Sequence, residues 1–305
     1  MYYEIVKRLL GLSIQEIAES RKLNGKQALQ VASKYLATMS TEWFKGKAPT
    51  IAYDDPLCRW AYIFAHVAVH ANCLEAVIRK CESASAKFSK RIRRDELSIL
   101  TFGGGPGTEL MALAKHFAFL KDQNKGKDYN QVDVRLTIVD RISAWSENIT
   151  LVQEEIDRVY KNGSVARHKW PARFSVFAHV LDMTDIKAFG NLPSLFKKKD
   201  LFIFNYMISE IFNLEHSIPT MRAISKSCAD ASYFLFVDRK DQDTKAKINF
   251  LIKKIRLKIV VEGESANYDT VDGDEQKSLL GPISRHLGRE PRHTWNSCWR
   301  LAIKS

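Results

Sequence analysis

A cluster of glycines follows an apolar run and precedes a predicted helix. The apolar run spans residues 97–102, the helix is predicted over 108–120, and the glycines are Gly103, Gly104, Gly105 and Gly107. Glycine lets the backbone adopt positive φ and lets a ligand approach with no Cβ in the way. Because amides at a helix N-terminus bind polar and anionic groups, this order predicts a turn that binds a nucleotide cofactor. Similar turns serve flavin and nicotinamide enzymes, or only pack a helix against a sheet.

Apolar, β-like runs recur along the rest of the chain. Together with 97–102 they lie at 134–139, 174–181, 200–205, 233–237, 257–262 and 296–303. Segments long enough for a crossover helix separate the first five runs, which is typical of a doubly wound parallel sheet. Residues 267–292 show no strong helical pattern, so the last two strands are predicted to form a hairpin-like antiparallel pair.

The glycine turn and the order of these elements resemble the class I, Rossmann-like S-adenosylmethionine (SAM)-dependent methyltransferases. The resemblance covers roughly residues 95–305 and lies in the order of the motifs. It implies an α/β fold with a doubly wound, seven-stranded, mostly parallel sheet, SAM as cofactor and methyl transfer as activity. We therefore expect an N-terminal helical region at 1–94, covering the substrate or binding a partner, and a SAM-binding domain at 95–305.

The resemblance also implies which residues contact the cofactor. Gly103, Gly105 and Gly107 match the glycine motif, whereas Thr101 stands where the family usually has an acid two places before the first glycine. Asp140 matches the acidic residue after the second strand, whose carboxylate accepts the ribose hydroxyls; it could instead cap the following helix. The full implied set is Thr101, Phe102, Gly103, Gly104, Gly105, Gly107, Asp140, Arg141, Trp145, Asp182, Met183 and Asn205.

Two members of this set have a second interpretation. Asp182 and Met183 match the family's adenine-contacting pair after the third strand, although Asp182 could equally be a turn residue. Trp145 could cover the adenine or the ribose, but a tryptophan on an amphipathic helix also belongs to a core.

The residues after the fourth strand occupy the position where this family places the substrate nucleophile. The run 205–208 contains no proline, which argues against methylation of exocyclic amines or glutamine amides, and no cysteine ends strand four or five, which argues against covalent cytosine chemistry. A direct in-line displacement remains. Candidate bases or positioning residues are Asn205, Tyr206, Glu210 and Lys240. A 2′-O-methyltransferase tetrad is incomplete: Lys240 and Glu262 or Glu264 fit its later places, but Asn205 or Tyr206 replaces its aspartate.

Charge is the main indication of a partner. The net charge is +12, and basic residues cluster at 87–94, 197–199, 253–258 and 285–292. Such clusters favour a polyanion, so RNA is the leading acceptor, with a protein or a small molecule left open. Two other classes stay open: a non-catalytic relative that only binds or assembles, and a nicotinamide oxidoreductase in which Asp140 would bind a ribose.

The cysteines and the apolar runs bear on compartment and metal binding. Five cysteines without paired spacing fit reduced thiols, and we find neither an apolar run near 18 residues nor a signal-peptide pattern. We therefore expect a soluble cytoplasmic or nuclear protein without membrane contact. Cys58, Cys73, Cys81, His66 and His70 fall close together, but they lack a C-x-x-C pair and lie in an apolar helix, so no metal is expected.

Overall fold

The chain forms helices packed on both faces of one large sheet. In a computed structural model, the residues described are 1–42, 51–123, 131–162, 171–189, 193–211, 213–265, 268–269 and 273–304. The large sheet has seven strands in the order β3-β2-β1-β4-β5-β9-β6. Strands β1 to β5 run parallel, and β9 pairs antiparallel with both β5 and β6. This confirms the predicted doubly wound sheet and the antiparallel last strand.

All seven predicted strands are present, and a separate two-stranded sheet pairs β7 with β8. The strands are β1 Glu96–Phe102, β2 Val132–Asp140, β3 Ala172–Val180, β4 Leu201–Asn205, β5 Tyr233–Arg239, β6 Leu257–Glu264, β7 Tyr268–Asp269, β8 Thr294–Trp295 and β9 Ser297–Lys304. The helices are α1 Tyr2–Ser20, α2 Gly25–Glu42, α3 Pro56–Tyr62, α4 Ala68–Ala84, α5 Ala86–Ile92, α6 Thr108–Gln123, α7 Trp145–Asn162, α8 Pro193–Phe196, α9 Ile218–Ser227, α10 Gln242–Lys254 and α11 Gly273–Leu287.

Helix α11 corrects the expectation that the segment before the last strand carries no helix. It spans Gly273–Leu287, with acids in its first turn and Arg285 and His286 in its last turn, which suits the helix dipole. Its buried Leu280 and Leu287 give it an apolar face. Pro282 lies inside the helix and hid this pattern in the sequence. Arg285 and His286 therefore lie on a helix and not in a loop.

Helices α3 and α4 form one run, joined by a π-helical turn at Ile63–Val67. Asp55 begins it, because its carboxylate accepts the Leu57 amide at 2.8 Å and Pro56 occupies the first turn. The segment Pro56–Ala84 is long and apolar enough on average to span a membrane, although no continuous apolar run near 18 residues was found in the sequence. However, 83% of its most apolar window is buried inside the protein. The run thus has the burial of a core helix.

The largest cluster of buried apolar residues joins the N-terminal helices to the sheet. It contains Tyr3 and Leu9 of α1, Phe64 and Leu74 of the long run, and Ile99 of β1, among others. The N-terminal helices therefore share one apolar core with this side of the sheet, and among them α4 contacts both α6 and β9. The division of the chain at 94/95 into two regions stays a prediction.

Candidate functional site

A cleft of about 550 Å³ opens at the C-terminal ends of the parallel strands. It lies where β1 has β2 on one side and β4 on the other, so successive strands proceed in opposite directions from this point. Open α/β sheets bind their ligands in this crevice. The cleft is lined by Tyr53, Tyr62, Gly103, Gly105, Val139, Asp140, Arg141, Ile142, Trp145, Leu181, Asp182, Met183, Thr184, Tyr206, Met207, Glu210, Ile211, Asn213 and His216.

The glycine turn after β1 forms part of the cleft wall. Gly103, Gly105 and Gly107 have φ values of +66°, +44° and +89°, a region that favours glycine. Gly103 and Gly105 line the cleft, whereas Gly107 packs on Val152 of α7. At Gly104 a Cβ would lie 2.6 Å from the Ile138 side chain. Gly103 and Gly105 therefore line the cleft, and the lack of a Cβ permits close packing at Gly104 and also at Gly103, where a Cβ would lie 2.7 Å from the Met207 side chain.

Asp140 ends β2 and lines the cleft. Its Oδ2 accepts the Gly105 amide and its Oδ1 accepts the Ile142 amide, both at 2.9 Å. It does not cap α7, which begins only at Trp145. Burial raises the pKa of Asp140, and these two backbone hydrogen bonds shift the pKa in the opposite direction. Each carboxylate oxygen keeps acceptor capacity beyond the one amide it binds, so Asp140 could also accept a ligand diol.

The predicted adenine-side residues also lie on this wall. Arg141, Asp182 and Met183 all line the cleft. Asp182 is at the same time a turn residue, because its Oδ1 accepts both the amide and the hydroxyl of Thr184, at 2.8 and 2.7 Å. Both interpretations of Asp182 are therefore compatible with its position.

Three aromatic rings form a wall of the cleft. Trp145 lies at a centroid distance of 5.8 Å from both Tyr53 and Tyr62, which are 5.6 Å from each other. Arg59 holds this wall, since it donates to the Tyr53 carbonyl at 2.9 Å and its guanidinium lies 5.9 Å from the Trp145 ring. Sequence reasoning missed Tyr53 and Tyr62, because only the tertiary packing of the N-terminal region brings them to the glycine turn.

The segment after β4 forms the opposite wall. Tyr206 adopts φ +52°, unusual for a non-glycine residue, and its ring stacks on His70 at 3.9 Å with an interplanar angle of 7°. Glu210 lines the cleft, and burial followed by the charges of Asp238 and Asp140 raises its pKa to about 8. Burial, followed by the charge of Glu210, raises the pKa of Tyr53 and Tyr62, and all three residues line the same cleft.

Other predicted residues lie outside the lining of the cleft. Phe102 is fully buried and stacks on Phe204 at 5.0 Å, so it belongs to the core. Thr101 and Asn205 are buried beneath the glycine turn. The Lys240 ammonium donates to the Ser265 carbonyl at 3.2 Å. The two glutamates considered for a 2′-O-methyltransferase tetrad also lie outside the lining of the cleft. Glu262 pairs with Arg300 at 3.0 Å and Glu264 with Lys245 at 3.1 Å.

The cluster of histidines and cysteines on the long N-terminal helix is buried. All five cysteines of the chain are buried and form no disulfide. Within the described ranges, no group of three or more His, Cys, Asp or Glu side chains is arranged to hold a metal ion. Burial lowers the pKa of His70 to about 3, so this imidazole is neutral at physiological pH.

The residues of the cleft fit SAM. The glycine turn offers a wall without Cβ atoms at Gly103 and Gly105, and Asp140 keeps acceptor capacity for a ribose diol. Beneath the turn, buried polar atoms of Thr101, Glu109 and Asn205 have no hydrogen-bond partner within the described part of the chain. When bound, SAM supplies a methyl group on a sulfonium, which is already a good leaving group. The surrounding residues then need only to align a nucleophile and accept its proton.

Comparison with solved structures finds methyltransferases with low identity to this chain. A SAM-dependent methyltransferase from Methanosarcina mazei is 12% identical, with 69% of this chain and 93% of that chain covered and a TM-score of 0.40. The N-methyltransferase NodS from Bradyrhizobium japonicum, crystallised with S-adenosyl-L-homocysteine, is 11% identical, with 86% and 98% covered and a TM-score of 0.40. A precorrin-6y C5,15-methyltransferase from Geobacter metallireducens is 13% identical, with 71% and 84% covered and a TM-score of 0.37. Comparison with curated proteins gives no match.

The sequence itself matches a family model. The model, described as "Putative SAM-dependent methyltransferase", matches residues 36–262, which is more than half of the 305 residues. The matched range includes the glycine turn, Asp140, and the segment after β4 with Tyr206 and Glu210. The chain belongs to this family of SAM-dependent methyltransferases.

Proposed function

We propose that this methyltransferase transfers the methyl group of SAM in line to an oxygen or nitrogen nucleophile of RNA. The observation that carries the proposal is the position of Glu210. Glu210 lines the same cleft as the glycine turn, Asp140 and the aromatic wall, and its charge acts on Tyr53 and Tyr62. An acceptor held between that wall and Glu210 would lie beside the transferable methyl group.

Glu210 suits the removal of a proton from the acceptor. A general base works best when its pKa lies near the operating pH, and burial raises the pKa of Glu210 to about 8. Tyr206, at the strained turn beside it, would position the nucleophile. Asn205 and Lys240 are not part of this proposed catalytic arrangement, since neither residue lines the cleft.

Two features support RNA as the acceptor. Aromatic side chains stack on bases, and the wall of Tyr53, Tyr62 and Trp145 offers such faces inside the cleft. Two arginines also act at this place: Arg141 lines the cleft beside the acidic Asp140, Asp182 and Glu210, and the charge of Arg292 acts on Tyr62 and Tyr206. A nucleotide that enters this cleft would have to leave its helical stack, as nucleotides do in other base-modifying enzymes. In this proposal Tyr53 and helix α3 cover the substrate.

The test is a transfer assay with methyl-labelled SAM and a cellular extract of small molecules, RNA and protein. Label is expected in RNA, to be sensitive to nuclease and resistant to protease, and to be identified as a methylated nucleoside by mass spectrometry. Glu210→Gln is expected to lose transfer while SAM binding persists. Label in protein or in small molecules alone would replace RNA by that acceptor class.

A further inference from the structure

Three polar side chains meet beneath the glycine turn, at the junction of β1 and β4. Thr101 comes from β1, Glu109 from the first turn of α6, and Asn205 from the end of β4. All three are buried, with Glu109 only 1% exposed. A Cβ on Gly104 would lie 2.8 Å from Thr101 Oγ1 and 3.1 Å from Glu109 Oε2, so both atoms point at the turn.

When Glu109 is ionised, this cluster has more acceptors than donors. Asn205 Nδ2 donates to Glu109 Oε1 at 3.1 Å. Within the described residues, Thr101 Oγ1, Glu109 Oε2 and Asn205 Oδ1 have no hydrogen-bond partner. A buried polar group without a partner costs about 1 to 3 kcal/mol, so three of them at one place indicate a missing polar ligand. The group that best satisfies them is a cation with several N–H donors, which describes an ammonium.

We propose that Glu109 provides the carboxylate that binds the α-ammonium of SAM, directly or across one water molecule. Thr101, the member of the cluster that β1 contributes, is buried and carries no charge. Glu109 Oε2 and Thr101 Oγ1 lie on the same side of Gly104, so α6 places a carboxylate close to where β1 lacks one. Gly103 and Gly105, on either side of Gly104, line the cleft. This inference rests on the SAM-dependent activity and is independent of the RNA acceptor.

The charge state of Glu109 is compatible with this role. Burial is the main reason that the pKa of Glu109 is raised to about 8; the hydrogen bonds from its own amide and from Asn205 act in the opposite direction, and the charge of Asp140 adds a smaller upward shift. The charge of Glu109 also acts on Tyr62. At neutral pH the carboxyl therefore holds a proton until a cation arrives, and an ammonium beside it would favour the ionised form.

The test uses calorimetry to measure how Glu109→Gln changes the affinity of the protein for two ligands. S-adenosylhomocysteine carries the amino group, whereas methylthioadenosine keeps the ribose and adenine but lacks the amino-acid part. Glu109→Gln is expected to weaken binding of S-adenosylhomocysteine about tenfold or more and to leave methylthioadenosine within about twofold. Glu155→Gln, a buried glutamate on α7 paired with Arg158 at 2.7 Å, is the control and should change neither affinity.

A second substitution and a measurement on the unaltered protein complete the test. Thr101→Asp in the Glu109→Gln background should restore part of the affinity for S-adenosylhomocysteine, because it places a carboxylate in the same cluster, beside Gly104. If Glu109→Gln does not fold, the wild type at about pH 6.5 should release close to one proton on binding S-adenosylhomocysteine and none on binding methylthioadenosine.

Two results would overturn the inference. One is an equal loss for both ligands, or no loss, in a folded Glu109→Gln protein; the other is equal proton release with both ligands in the wild type. If the wild type binds neither ligand, the assignment of SAM to this cleft fails instead.

Discussion

Replacing Asp140 by alanine is expected to weaken SAM binding by about 10- to 150-fold. The carboxylate already accepts the amides of Gly105 and Ile142, both at 2.9 Å, and its remaining acceptor positions face the cleft. A hydrogen bond to a charged group contributes about 1.5 to 3 kcal/mol, and one such loss corresponds to that range of affinity. The variant also leaves two turn amides without an acceptor, so a larger loss would agree with the same geometry.

The assay is calorimetric titration with SAM, with folding checked by circular dichroism. Asp133→Ala is a matched control, because Asp133 lies at the opposite end of the same strand and forms an exposed pair with Arg173 at 2.8 Å. Its affinity for SAM should equal that of the wild type. An unchanged affinity in a folded Asp140→Ala protein would refute the assignment of the ribose to Asp140.

Three further outcomes are expected. Burial raises the pKa of folded Glu210 to about 8, whereas an unfolded glutamate titrates near about 4.3. Between these values the folded state binds more protons, so stability falls as pH rises. Urea unfolding of Glu210→Gln should therefore show a gain on the order of 1 to 3 kcal/mol at about pH 8 and little change near pH 4.5, and equal effects at both would contradict this. Gly104→Ala should lower the free energy of unfolding by about 1 to 3 kcal/mol, because its Cβ would lie 2.6 Å from Ile138, whereas Gly281→Ala in α11 meets nothing within 4 Å and should be neutral or stabilising. RNA affinity should fall with salt, and Arg141→Ala should make the log–log slope shallower by about 1; a salt-independent affinity would exclude phosphate contacts.

The sheet was predictable because its signals are local in the sequence. Each strand is a short apolar run, and the run at 97–102 leads directly into the glycine turn. Parallel strands buried on both faces read as continuous apolar segments, so their number and order were visible without any contact information. Asp140 and the residues 205–210 were predictable for the same reason, since they directly follow strands.

The rest of the site depends on packing that no local pattern records. Tyr53 and Tyr62 lie far from the glycine turn in sequence and reach the cleft only through the tertiary packing of the N-terminal region. In the sequence, Glu109 is an ordinary acid in the first turn of a helix. Only the structure shows that its carboxyl is buried next to Thr101 and that Oε2 has no hydrogen-bond partner among the described residues. Lys240 follows β5 as expected, but its ammonium is held by Ser265 away from the cleft.

The most direct test of the account is a crystal structure of the protein with S-adenosylhomocysteine. The ribose hydroxyls are expected within about 2.5 to 3.0 Å of the Asp140 carboxylate, and the thioether sulfur should lie on the side of Tyr206 and Glu210. The amino group should lie beside the glycine turn and above Glu109. A ligand bound outside this cleft, or one in it whose ribose makes no contact with Asp140, would contradict the account.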